Sequence, residues 1–300
     1  MKIDRKIVQK ASMLLTGTTV FFLGATGSVK AFDITPTSNG ETLVDNILGE
    51  GITVVPGSVS YTGAECASGT FTGGAASGIG IESGILLTTG CATDAAGPNT
   101  SDATTTSNGF FGDSDLNALI PGYMTYDATI LEFDFESEGG DLFFNYVFAS
   151  EEYNEYVNSS FNDVFGFFLN GVNIALIPGT DTPVAINTVN NGNPFGGINA
   201  SNPELYNNND FSDGGGSYNI EYDGFTNVFT AKFLDLTPGT HTIKLAIADA
   251  GDPFLDSGVF IQANSFSDKK GVPEPTSVFG LLAVGALGAT AFKGKQKTAR

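Results

Sequence analysis

Carboxylates are the side chains of this sequence best placed to do chemistry, and they come in three groups. Glu151, Glu152, Asn154 and Glu155 follow directly on an aromatic run, and Asn162 and Asp163 open the next one. Asp249, Asp252 and Asp256 bracket a Gly-Asp-Pro turn between two late apolar runs. Each group falls at a strand end or turn, where backbone carbonyls are free to join in. Hard cations take about six to eight oxygens from carboxylates, amides and carbonyls. Carboxylates crowded without a cation have raised pKa values or push their loops apart. The pattern predicts calcium held by Glu151, Glu152, Asn162, Asp163, Asp249, Asp252 and Asp256, or by a subset of them. The fixed spacing of an EF-hand loop is missing, and the alternative is a solvated acidic rim.

The charge balance supports a cation partner. The chain carries a formal charge of −20, with 13 Lys and Arg against 33 Asp and Glu. Five of the basic residues precede Phe32 and four follow Phe292, and none lies between Phe32 and Ala231. Only Lys232, Lys244, Lys269 and Lys270 lie between those two ends. Such a surface repels phosphate, so nucleic acid and anionic lipid are excluded as partners of the body.

Enzymatic readings fare worse. His241 is the only histidine, at a strand start where exposure is the default, and no Gly-x-Ser-x-Gly occurs, so a serine triad has one possible base and no elbow. Glu152 with Asp163 or Glu132 could form the carboxylate pair of a secreted hydrolase acting on extracellular polysaccharide. Such sites stack sugars on aromatic rings, and the chain has no Trp. Glycan binding without hydrolysis would use the Asn-rich stretch and exposed Tyr206, Tyr218 and Tyr222. The expectation is therefore a non-enzymatic protein.

The two ends read as addresses. Lys2, Arg5, Lys6 and Lys10 precede the apolar stretch Met13–Val29, and Val29-Lys30-Ala31 offers small residues for cleavage. Residues 1–31 thus predict a secretory signal peptide. At the other end Val272-Pro273-Glu274-Pro275-Thr276 precedes an apolar run, Ser277–Phe292, and then a basic tail. This order resembles the PEP-CTERM sorting signal, which implies an exosortase-type processing enzyme as partner and a short transmembrane helix within 269–300. The membrane is then met only through that segment, and the body, 32–268, lies outside the cell. In an oxidising compartment the two cysteines, Cys66 and Cys91, predict one disulfide.

The elements that must position the carboxylates are mostly strands. Leu131, Phe133 and Phe135 alternate with Glu132 and Asp134, and Phe144, Tyr146 and Phe148 share one face after the turn Glu138–Asp141. Asn170-Gly171 between two apolar runs predicts a tight hairpin, because both turn residues need positive φ. Thr242–Ala248 and Ser257–Asn264 are the late strands, and Thr42–Leu48 and Ser114–Ile120 are brief helices. Asn187–Tyr218 is so rich in Asn, Gly and Ser that it predicts a long surface loop. About nine to twelve short strands in one domain predict an all-β, antiparallel, jelly-roll-like sandwich.

Four segments carry a second resemblance. Gly63–Gly90, Phe148-Ala-Ser-Glu-Glu-Tyr-Asn-Glu-Tyr156, Phe161-Asn-Asp-Val-Phe-Gly-Phe-Phe168 and Asp249–Val259 are similar to the choice-of-anchor L domain, over about residues 41–268. The resemblance implies an exported domain on an interchangeable surface anchor, and no reaction. Adhesion, envelope or biofilm material is the role this placement suggests, with extracellular polysaccharide or other surface proteins as partners.

Overall fold

The structure is a computed structural model and describes residues 32–270. The expected signal peptide and the Pro273-Glu274-Pro275 sorting segment lie outside the described residues. In chain order the strands are β1 (Asp33–Pro36), β2 (Ile52–Val54), β3 (Ser60–Thr62), β4 (Ser68–Thr72), β5 (Ser83–Thr88), β6 (Thr125–Ser137) and β7 (Gly140–Ser150). They continue with β8 (Val164–Leu169), β9 (Val172–Asn173), β10 (Tyr206–Asn208), β11 (Gly224–Thr226), β12 (Phe229–Leu236), β13 (Gly239–Ala250) and β14 (Ser257–Gln262). Three short helices accompany them: α1 (Gly40–Ile47), α2 (Gly74–Ser77) and α3 (Ser114–Leu119).

These strands form two packed sheets, the all-β sandwich that the alternation predicts. The larger runs β1-β4-β5-β14-β7-β11-β10, with β12 also on β7. The smaller runs β2-β6-β13-β8-β9, with β3 also on β6. Every pairing between these strands is antiparallel. The strand count exceeds the expected range because several strands are only two or three residues long, too short for alternation to show.

Side-chain alternation sorts the apolar residues into layers. Phe144, Tyr146 and Phe148 of β7 point between the sheets, where they meet Phe133 and Phe135 of β6 and Phe165 and Phe167 of β8 in one buried core. Val147 and Ala149 point the other way, into a second cluster with Phe71, Phe225 and Phe260. The outer face of the smaller sheet is covered in turn by Leu116 of α3, against Phe168, Ala246 and Ala248. Aromatic rings meet mostly edge to face, as for Phe135 and Phe266 at 5.2 Å between centroids and 89° between planes. Residues Asn39 and Asp113 cap α1 and α3 by accepting from backbone N–H groups.

The Asn170-Gly171 turn has both φ values positive, 50° and 82°, which the tight hairpin requires. Two local expectations are corrected. Asn187–Tyr218 is a surface loop only in part: 194–200 are exposed, but Val189, Asn190, Asn209 and Asp210 within it are fully buried and anchor it. Its amides act as backbone partners, as when Asn209 donates through Nδ2 to Ile220 O and Tyr222 O, both at 3.0 Å, and accepts from Tyr218 N. His241 is likewise buried, against Phe135. Its Nε2 donates to Thr237 O at 2.8 Å and its Nδ1 accepts from the Asn170 amide at 2.9 Å.

Candidate cation site

Topology gathers the carboxylates. β5, β7 and β13 end, and β8, β11 and β14 begin, at the same end of the sandwich. The register fixes this: Ser150 pairs with Ser257 and with Gly224, Gly258 with Thr88, and Ala248 with Val164. The loops 89–113, 151–163, 209–223 and 251–256 therefore meet there. The disulfide between Cys66 and Cys91 ties down the start of the first of them. Asn108 holds its middle by donating to Thr89 O at 2.6 Å and Gly90 O at 3.0 Å.

Asp163 links two neighbourhoods: it lies beside Asp249 on one side and within electrostatic reach of Glu152 and Asp252 on the other. Asp163 is fixed on both oxygens, by Ala250 N at 2.8 Å and Ser257 Oγ at 2.7 Å. Even so, burial pushes its carboxyl up to about 7. Asp249, only 1% exposed, has no hydrogen-bond partner on either oxygen. Burial and then the neighbouring Asp163 hold it well above the usual carboxylate range. The nearby Thr89 hydroxyl offsets only part of this. Burial followed by the charges of Asp163, Asp252 and Glu155 pushes Glu152 up to about 10, and its Oε2 is also unpartnered. Glu152 and Asp252 open on a cleft of about 320 Å³, walled by Tyr156, Phe161, Phe254 and Leu255.

The other expected ligands sit differently. Glu151 turns away from this group, toward Asp223, Glu221 and Asp256. It is 1% exposed with both carboxylate oxygens unpartnered, and burial raises it well above the ordinary value. Asp256 anchors a loop: both its oxygens accept from Thr106 N at 3.0 Å. Burial holds it at about 7. The amide oxygen of Asn162 accepts from Asn187 N at 2.9 Å and so braces the next segment. Glu132 is not in the cluster at all, being mid-strand on β6 in register with Lys244.

A second set of acids gave no signal in the sequence. Asp102, Asp210 and Asp223 each bring a carboxylate oxygen within 4.8 Å of the other two. Asp102 lies more than a hundred positions from Asp210 and Asp223, so only the fold brings the three together. Burial, with Asp210, Glu155 and Asp102 beyond it, pushes Asp223 up to about 9 against the restraining bond from Asn99. No lysine relieves either set among the described residues. Lys244 pairs with Asp113 and Asp115, both at 2.7 Å, and Lys269 with Glu50.

Tyr206 and Tyr222, expected as exposed sugar platforms, are 9% and 3% exposed. Their hydroxyls bond to Asn154 Oδ1 and Thr88 Oγ1 inside the protein.

Comparison with known families decides what kind of protein carries this end. The choice-of-anchor L domain matches residues 31–267, nearly all of the described chain. The chain belongs to that family. No curated protein and no solved structure matches it. Membership in the choice-of-anchor L family points to a surface-associated protein with an extracellular or cell-surface location. Among the described residues no helix is long and apolar enough to cross a membrane.

Proposed function

We propose that this choice-of-anchor L domain is a non-enzymatic surface module whose acidic end is held together by calcium, serving adhesion, envelope or biofilm material. The observation that supports the reading is Asp249: a fully buried carboxylate with neither oxygen partnered, beside Asp163, which is itself within electrostatic reach of Glu152 and Asp252. An ionised carboxylate in that position is costly without a cation, and an all-oxygen donor set suits a hard divalent ion. Glu152, Asp163, Asp249 and Asp252 would hold it, and Glu151 extends the negative field. The role is to lock the 151–163 loop to the β13–β14 connection as one rigid face outside the cell, where calcium is abundant. The N-terminal signal peptide and the C-terminal sorting signal would deliver it there, with an exosortase-type enzyme acting near Pro273-Glu274-Pro275.

Thermal melting of the purified chain in calcium chloride and in chelator tests this. Sites of extracellular modules bind at about 10⁻⁴–10⁻³ M, so about 10 mM calcium stabilises by roughly 1.4–2.7 kcal/mol. That corresponds to a midpoint rise of about 3–10 °C. Equal midpoints would remove the proposal.

A glycan-binding role has the cleft in its favour. Phe254 is 52% and Tyr156 36% exposed beside Glu152 and Asp252, so sugar hydroxyls could reach an ion there while a ring stacks on an aromatic face. Calcium-dependent retention on a polysaccharide panel, lost in Phe254→Ala, would support it.

A further inference from the structure

We infer that Asp102, Asp210 and Asp223 form a second calcium site, separate from the one at Asp249. The inference rests on the reading of this end as cation-binding, but uses none of the same carboxylates.

The argument is how each side chain divides its oxygens. Asp210, fully buried, accepts on Oδ1 from Ser212 N at 2.7 Å, Ser212 Oγ at 2.8 Å and Asp213 N at 3.2 Å, while Oδ2 has no partner. Asp223, also fully buried, accepts on Oδ1 from Asn99 Nδ2 at 2.6 Å, and again Oδ2 has none. Both carboxylates are thus held rigidly by one oxygen and present the other. Asp102 Oδ1 and Glu155 Oε2 are buried and unpartnered as well. The Glu155 carboxylate is close enough to feel Asp210 and Asp102.

The size is right for calcium. Ligand oxygens at about 2.3–2.6 Å from an ion lie on a sphere about 4.6–5.2 Å across. The three aspartate oxygens, all within 4.8 Å of one another, fit on such a sphere. Donors that are all oxygen, with no His or Cys, select a hard cation. The three ligands come from two separate segments, so the ion would tie the segment around Asp102 to the packed 209–223 segment, with Glu155 of the loop after β7 adding to the field. Glu155 also lies within electrostatic reach of Glu152, which makes the two sites neighbours.

Calorimetric titration of the full chain with calcium chloride tests the inference, using Asp102→Asn and Asp252→Asn. Asp102 Oδ1 has no partner in the chain, so the amide removes a charge without breaking a hydrogen bond at that atom. Circular dichroism confirms that each variant is folded. The expected result is two ions bound by the native chain and one by Asp102→Asn, while Asp252→Asn weakens the other ion at least tenfold. An Asp102→Asn isotherm that superimposes on the native one overturns the second site and leaves the first standing. A native chain that binds no calcium overturns both.

Discussion

The two ends of the sandwich are built on opposite plans. At one end the strands are joined by tight turns, at Ser137–Gly140, Asn170-Gly171 and Leu236–Gly239, and the acids there, Glu136, Glu138 and Asp235, are exposed. At the other end the connections are long, a disulfide tethers one of them, and Glu151, Glu152, Asp163, Asp210, Asp223 and Asp249 are buried. The first end needs only backbone geometry to hold its shape. The second keeps its carboxylates away from water with no lysine to balance them among the described residues, which is the ground for proposing that a cation holds its shape. The same residue type is solvation at one end and a structural demand at the other; burial makes the difference.

The largest effect should come from the covalent tether. Replacing Cys66 and Cys91 together by Ser frees a loop of 25 positions and should cost about 3 kcal/mol, or about 6–12 °C in midpoint. The loss should be greater in chelator than in calcium, because the loops then have neither restraint. Calcium itself comes next, with the 3–10 °C rise given above.

Acidity offers a third way to sharpen the contrast. In the metal-free chain Asp163, Asp223 and Glu152 have folded-state pKa values raised to about 7, 9 and 10. A carboxylate raised in the folded state contributes stability that is complete below its unfolded value, about 4, and is lost as pH rises through the folded one. The chelated protein should therefore melt higher at pH 5.5 than at pH 8, by several degrees. The benefit of added calcium should shrink over the same descent. A chelated midpoint that falls steadily on acidification from pH 8 would contradict the burial argument.

The smallest effects belong to the tight-turn end. Gly171→Ala forces a side chain to φ 82° where nothing crowds it within 4 Å, so the cost is conformational, about 1 kcal/mol. Differential scanning should show that loss to be the same with calcium and with chelator. Glu138→Gln should leave the midpoint unchanged in both.

How far the sequence carried the reading follows the same division. Alternation at Leu131, Phe133 and Phe135, and the Asn-Gly turn, made the sandwich and its tight end legible, because those signals are local. Glu152, Asp163, Asp249 and Asp252 could be singled out as candidates because they fall at or beside the ends of apolar strands. Asp102, Asp210 and Asp223 were not: Asn99 and Asp223, which share a hydrogen bond, are 124 positions apart, and no spacing encodes that meeting. The Asn-rich stretch misled because its polarity suggests solvent, whereas amides such as Asn209 replace backbone partners and can be fully buried. Tyr206 and Tyr222 misled in the same way, since a phenol can bury its ring if its hydroxyl finds a partner.

Amide hydrogen exchange on the full chain, with calcium and with chelator, tests the central claim most directly. Calcium should slow exchange at least tenfold in 97–106, 151–163 and 209–223 and leave the turns at 138–140, 170–171 and 237–239 unchanged. Exchange that is the same in both conditions, or slowed equally at the two ends, would contradict it.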